Sequence, residues 1–83
     1  MSQAEKLKIR LLSRPKDFTW DELVKLLSKY GYFEMKTGKT GGSRRKFSNG
    51  TDVISLHKPH PRPTLKAYQI DDVINHLTEK GII

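Results

Sequence analysis

The chain has 83 residues, no cysteine, 35% apolar residues and a formal net charge of +7. That length supports one small domain, burying roughly 60% of its unfolded surface, and without cysteine neither disulfides nor cysteine-ligated zinc can hold it together. No apolar run approaches the about 18 residues of a membrane span, and the N-terminus lacks the apolar stretch of a signal peptide, so a cytoplasmic location is expected.

In the first dozen residues Leu7, Ile9 and Leu11 alternate as in a strand, yet Leu7 and Leu11 also stand one helical turn apart among good helix formers. The reading favoured here is a short helix, with Pro15 as its latest stop. From Thr19 the pattern is helical. Thr19 and Glu22 form a capping box, Leu23, Leu26, Leu27 and Tyr30 recur at helical spacing, and Gly31 closes the element, which predicts a helix over 20–30.

Residues 32–37 alternate with period two, which predicts a first strand with Phe33 and Met35 inward and Tyr32, Glu34 and Lys36 outward. A loop, Gly38-Lys-Thr-Gly-Gly, follows. Gly-Lys-Thr invites a phosphate-loop reading, but that motif needs a glycine five positions before Gly38, where Phe33 stands. Nucleotide hydrolysis is therefore excluded, and what remains is either a plain flexible loop or a glycine-rich turn whose amides can approach a phosphate.

Ser48-Asn-Gly then marks the turn of a hairpin, because Asn and Gly reach positive φ at little cost. In either a two-residue or a four-residue turn, Phe47, Ile54 and Leu56 share one face, and Arg44, Lys46, Ser55 and His57 share the other. The four-residue register sets Arg44 directly opposite His57; the two-residue register makes them diagonal neighbours. A guanidinium and an imidazole on one exposed face constitute a candidate phosphate site.

Lys58-Pro-His-Pro-Arg-Pro is unfit for helix or central strand and reads as a stiff connector. From about Tyr68 a second helix carries Ile70, Val73, Ile74 and Leu77 on one stripe and ends at Gly81, with Ile82 and Ile83 folding back. His76 reads as a surface or boundary residue. His57 and His60 are separated by Lys58 and Pro59, and no cysteine completes a ligand set, so neither metal nor cofactor is expected.

These elements compose an α+β fold, a two-layer α-β-β-β-α sandwich with both helices on the Phe33, Phe47, Ile54 and Leu56 face. A short helical extension, residues 1–17, precedes the domain at 18–83. The element order is that of a double-stranded-RNA-binding domain, an analogy of fold alone. Charge locates the partner. Residues 36–66 hold eight Lys and Arg against the single acid Asp52, whereas the rest of the chain is balanced. A surface so biased suits a polyanion, since each cation placed on a phosphate releases a condensed counterion. Lys36, Lys39, Ser43, Arg45, Lys46, Lys58, His60 and Arg62 are the candidate RNA-binding residues.

Residues 18–81 also carry a resemblance in their combined order and spacing. Phe18-Thr-Trp-Asp-Glu-Leu-Val-Lys-Leu-Leu, Tyr30-Gly-Tyr, Gly42-Ser43 at the second strand, Leu56-His-Lys-Pro-His-Pro and Leu65-Lys-Ala-Tyr-Gln-Ile together resemble the HicA family of bacterial type II toxins. That resemblance implies a double-stranded-RNA-binding-domain-like fold, metal-independent mRNA cleavage and inhibition by a HicB-like acidic antitoxin. Most members place their catalytic His directly after Gly-Ser, where this chain has Arg44 followed by Arg45. RNA cleavage asks for a base near the 2′-hydroxyl and cations around the phosphorane charge. His57 is then the expected base, with Arg44 as its catalytic companion at the phosphate, Lys46 and Lys58 as further clamps, and His60 in reserve. The alternatives are a non-catalytic RNA-binding module on the same fold and a purely protein-binding domain, the latter marked by binding that barely responds to salt.

Overall fold

The computed structural model describes residues 2–35, 44–59 and 61–83. The expected glycine-rich loop and the candidates Lys36, Lys39, Ser43 and His60 lie outside those residues. Three helices, α1 (Gln3–Leu12), α2 (Trp20–Lys29) and α3 (Ala67–Glu79), pack with an antiparallel sheet of β1 (Phe33–Glu34), β2 (Arg44–Ser48) and β3 (Val53–His57), in the order β1-β2-β3. This is the α+β arrangement the sequence predicts. No helix among the described residues is long and apolar enough to cross a membrane.

The leading segment folds as a helix because Ser2 caps it, its side chain accepting from the Glu5 amide, and because Leu7 and Leu11 bury on one side. It packs against both α2 and α3. The Arg10 guanidinium donates to Glu22 at 2.6 Å and to Asp17 at 3.0 Å, and lies 5.7 Å from the centre of the Phe18 ring. Exposed ion pairs contribute about 0–1 kcal/mol each, whereas truncating a buried leucine costs about 2–5 kcal/mol. Leu11, fully buried, therefore anchors this helix more firmly than its charges do.

Thr19 and Glu22 form the reciprocal capping box at the start of α2. Trp20, Leu23, Leu26 and Leu27 bury beneath it, and the Trp20 ring lies 5.5 Å from that of Phe47 on β2. Phe47, Ile54 and Leu56 supply the sheet's contribution to the core, and Ile70, Val73, Ile74 and Leu77 that of α3. The proline connector runs alongside the segment before α2. Trp20 donates its amide to the Pro63 carbonyl at 2.7 Å, and Leu65 donates to that of Phe18 at 2.8 Å.

One expectation is overturned. Phe33 and Met35 point outward, 62% and 44% exposed, while Tyr32 is buried at 1%. The cause lies at the end of α2, where Gly31 takes φ of 86°. Its amide donates to the Ser28 carbonyl and the Tyr32 amide to that of Leu27 at 2.8 Å, which is the Schellman arrangement. That turn drives Tyr32 into the core, so the following alternation begins one position out of phase with the sequence reading. A one-residue change reverses every side chain. The same device ends α3: Gly81 has φ of 72°, and Ile82 donates to the Leu77 carbonyl at 2.9 Å, bringing Ile82 and Ile83 onto the core.

The buried Tyr32 hydroxyl must find a partner, and it donates to Asp52 Oδ2 at 2.7 Å. His76 Nε2 meets the same carboxylate oxygen, and Lys80 Nζ lies 3.7 Å from the other. His76 is thus half-buried and in contact with the Asp52 carboxylate, edge-on to the Tyr32 ring, and ties α3 to the hairpin turn. The Tyr32 hydrogen bond, reinforced by His76 and Lys80, holds the Asp52 carboxyl down at about 2, against an ordinary 3.8. Burial, then Asp52, pushes the Tyr32 phenol up to about 12, from 10.0.

Linkage gives these shifts their sign. Asp52 binds protons more weakly folded than unfolded, so its contribution is complete above about pH 3.8 and is lost as pH falls through about 2. Tyr32 keeps its proton longer when folded, so its contribution is complete below about pH 10 and is lost as pH rises through about 12. Glu22, held low chiefly by Arg10, adds to the acid limb. Urea midpoints measured from pH 2 to 12 should fall at both ends, and Asp52→Asn should make the acid limb shallower. An acid limb unchanged by that substitution would assign acid sensitivity to other carboxylates.

Candidate nucleic-acid interface

The hairpin closes through four residues, Asn49 to Asp52. The Asn49 amide donates to the Asp52 carbonyl at 3.2 Å, and its side-chain Oδ1 accepts from the amides of Thr51 at 3.0 Å and Asp52 at 2.7 Å. Gly50 supplies the positive φ, 99°. This turn fixes the register in which Ser48 faces Val53, Lys46 faces Ser55 and Arg44 faces His57. Directly opposed residues in an antiparallel pair project to the same side. With Phe47, Ile54 and Leu56 turned to the helices, Arg44, Lys46, Ser55 and His57 stand together on the open face, all exposed.

The Arg44 guanidinium spans two partners there, donating from Nη1 to Ser55 Oγ at 2.7 Å and reaching His57 Nε2 from Nη2 at 3.5 Å. A guanidinium only donates, so Nε2 accepts from it in the His57 tautomer that carries its proton on Nδ1. A guanidinium and an imidazole are thereby presented side by side at the end of the hairpin away from its turn. A phosphate arriving here finds a planar donor fork next to a base.

The remaining candidates are not all on that face. Arg45 is opposite Leu56 and points to the helix side, where it lies 3.3 Å from Glu34 at the sheet rim. Lys58 is half-buried just beyond β3, and Arg62 is exposed in the connector. Among the described residues no group of three His, Cys, Asp or Glu is arranged to hold a metal ion.

Sequence reasoning missed Gln69. Its side chain is 2% exposed and donates from Nε2 to the His57 carbonyl at 2.7 Å, while its Oε1 accepts from the Lys66 amide at 3.0 Å. One amide therefore fastens the end of β3 to the start of α3 and fixes the backbone from which His57 projects. The available signal was a polar residue beside Ile70 at a helix start, three positions after Lys66. Replacing Gln69 by Leu should orphan both groups and cost roughly 1–3 kcal/mol in urea unfolding. Gln69→Glu keeps the acceptor for Lys66 but loses the donor for His57. A wild-type midpoint in both variants would show that water replaces the amide without loss.

A family model described as HicA toxin of bacterial toxin-antitoxin matches residues 20–78, from the first residue of α2 to within one residue of the end of α3. No curated protein and no solved structure matches the chain significantly.

Proposed function

We propose, because this chain belongs to the HicA family of toxins from bacterial toxin–antitoxin systems, that it is a metal-independent endoribonuclease that cleaves mRNA and thereby inhibits translation. The observation that carries this reading is the Arg44 and His57 pair on the open face of the sheet. In the proposed step His57 Nε2 takes the proton of a ribose 2′-hydroxyl, whose oxygen attacks the adjacent phosphorus. Arg44 releases Ser55 and His57 to hold the charge of the phosphorane. The bond to the 5′-oxygen breaks, water protonates that oxygen, and the products are a 2′,3′-cyclic phosphate and a 5′-hydroxyl end. Lys46, on the same face, holds a neighbouring phosphate.

The toxin's partner is an antitoxin. A HicB-like acidic protein lying over the open face would block RNA entry and neutralise its charge together. Incubating the purified chain with a long unstructured RNA in excess chelator should yield fragments with cyclic phosphate ends, and equimolar antitoxin should stop it. Cleavage only after a divalent ion is restored would refute the metal-independent mechanism.

A second reading has its own observation. The position after Gly-Ser, where most HicA proteins have their catalytic His, is Arg44. On that reading the chain binds RNA through the same face without cutting it, and the antitoxin competes for binding.

A further inference from the structure

The reversed phase of β1 leaves Phe33 and Met35 in the open, on the face that also exposes Val53 of β3. Phe33 pairs across β2 with Ser48, which in turn pairs with Val53, so Phe33 and Val53 flank one row of the outer face. Met35, whose amide donates to the Lys46 carbonyl at 2.7 Å, follows Phe33 on that side by alternation. Phe33, Met35 and Val53 are 62%, 44% and 46% exposed. Scattered exposed apolar residues are ordinary. Here Phe33 and Val53 lie at the turn end of the face whose other end holds Arg44 and His57, and Met35 stands beside Lys46 in the row between.

We propose that Phe33 is a stacking platform for an unpaired RNA base, making single-stranded RNA the substrate this face accepts. The inference rests on the RNA-cleaving reading above and adds a residue to it. A phenyl ring beside cations suits a nucleotide better than a purely apolar partner, because a base offers a π face and its phosphate an anion. Lys46 sits where that phosphate passes, one pair of residues along β2 from Ser48, and the Arg44 and His57 pair lies a further two residues on. At about 3.3 Å per residue, Phe33 is then roughly 13 Å along the strand direction from the reactive pair, so it grips a flanking base rather than the nucleotide being cut. A base paired in a duplex cannot turn its face to this ring, because both of its faces are covered by neighbours in the helix.

Binding of a 2′-O-methylated single strand of about 12 nucleotides, which lacks the attacking hydroxyl and falls within the usual site sizes, separates stacking from charge. Phe33→Ala should raise Kd by about 5- to 150-fold, the range alanine substitution gives for base stacking. That factor should stay constant with salt, whereas Lys46→Gln should flatten the salt dependence. In Phe33→Trp the new indole should be quenched by the single strand and not by the same sequence as a duplex, against a background from Trp20, which is 3% exposed. An unchanged Kd for Phe33→Ala with Arg44→Ala still impaired would overturn the platform and leave the RNA reading standing. No RNA binding by the parent at any salt would overturn both. Intact RNA binding in Phe33→Ala, with antitoxin affinity lowered more than about 10-fold, would assign the apolar strip to the antitoxin and overturn the proposal.

Discussion

His57→Ala should cleave RNA slower by about 10²-fold or more while binding it almost as well as the parent, because a positioned general base contributes about that much to the rate and a neutral imidazole little to the affinity. Arg44→Ala should lower both, since the guanidinium holds the phosphate before and during the displacement. Arg44→His tests the reading from the other side. It puts a base where most HicA proteins have one, directly opposite His57 on the neighbouring strand, and should make His57 dispensable, so that the double variant Arg44→His with His57→Ala cuts faster than His57→Ala alone. Kinetics of a long RNA in chelator decide between the outcomes. A parent that never cuts beside an Arg44→His variant that does would make the native chain a binder that has lost its base. If His57→Ala is as fast as the parent, the base lies elsewhere and His60 is the next residue to replace.

The hairpin was legible because its physics is local. Asn49 and Gly50 specify a tight turn and strand alternation puts Arg44 and His57 on one face in either register, while the choice of the four-residue turn, which sets them directly opposite, came from the structure. Both amphipathic helices were readable for the same reason, through caps and apolar stripes. The phase of β1 was not, because two strand residues are too few to establish a period, and the structure resolves the ambiguity through a Schellman turn that buries Tyr32. Burying Tyr32 then brings in Asp52, the one acid of the basic segment, and His76 from α3. Tertiary partners so far apart in sequence leave no pattern in a single chain. Gln69 is a similar case, since its role depends on where β3 ends relative to α3.

Raising salt from 50 to 200 mM should weaken RNA binding by about 50-fold, if Arg44, Lys46, Lys58 and Arg62 each sit on one phosphate and each adds about 0.7 to the log–log slope for a single strand. The fold places Arg45 and Lys46, neighbours on β2, on opposite faces, and that gives the measurement its resolving power. Lys46 is exposed on the open face opposite Ser55, whereas Arg45 is opposite Leu56 and is paired with Glu34 at the helix-side rim. Lys46→Gln should therefore flatten the slope by about 0.7. Arg45→Gln should leave it nearly unchanged, because RNA on the open face makes no contact with the opposite side of the sheet and salt damps what passes between them beyond a Debye length of about 8–10 Å. A net-charge effect would move both variants alike, since each loses one positive charge. Equal flattening by the two substitutions would thus return the protein to a diffuse basic surface, and flattening by Arg45→Gln alone would move the RNA to the rim between the sheet and the helices. A slope near zero in the parent would remove nucleic acid as the partner and favour a protein-binding domain.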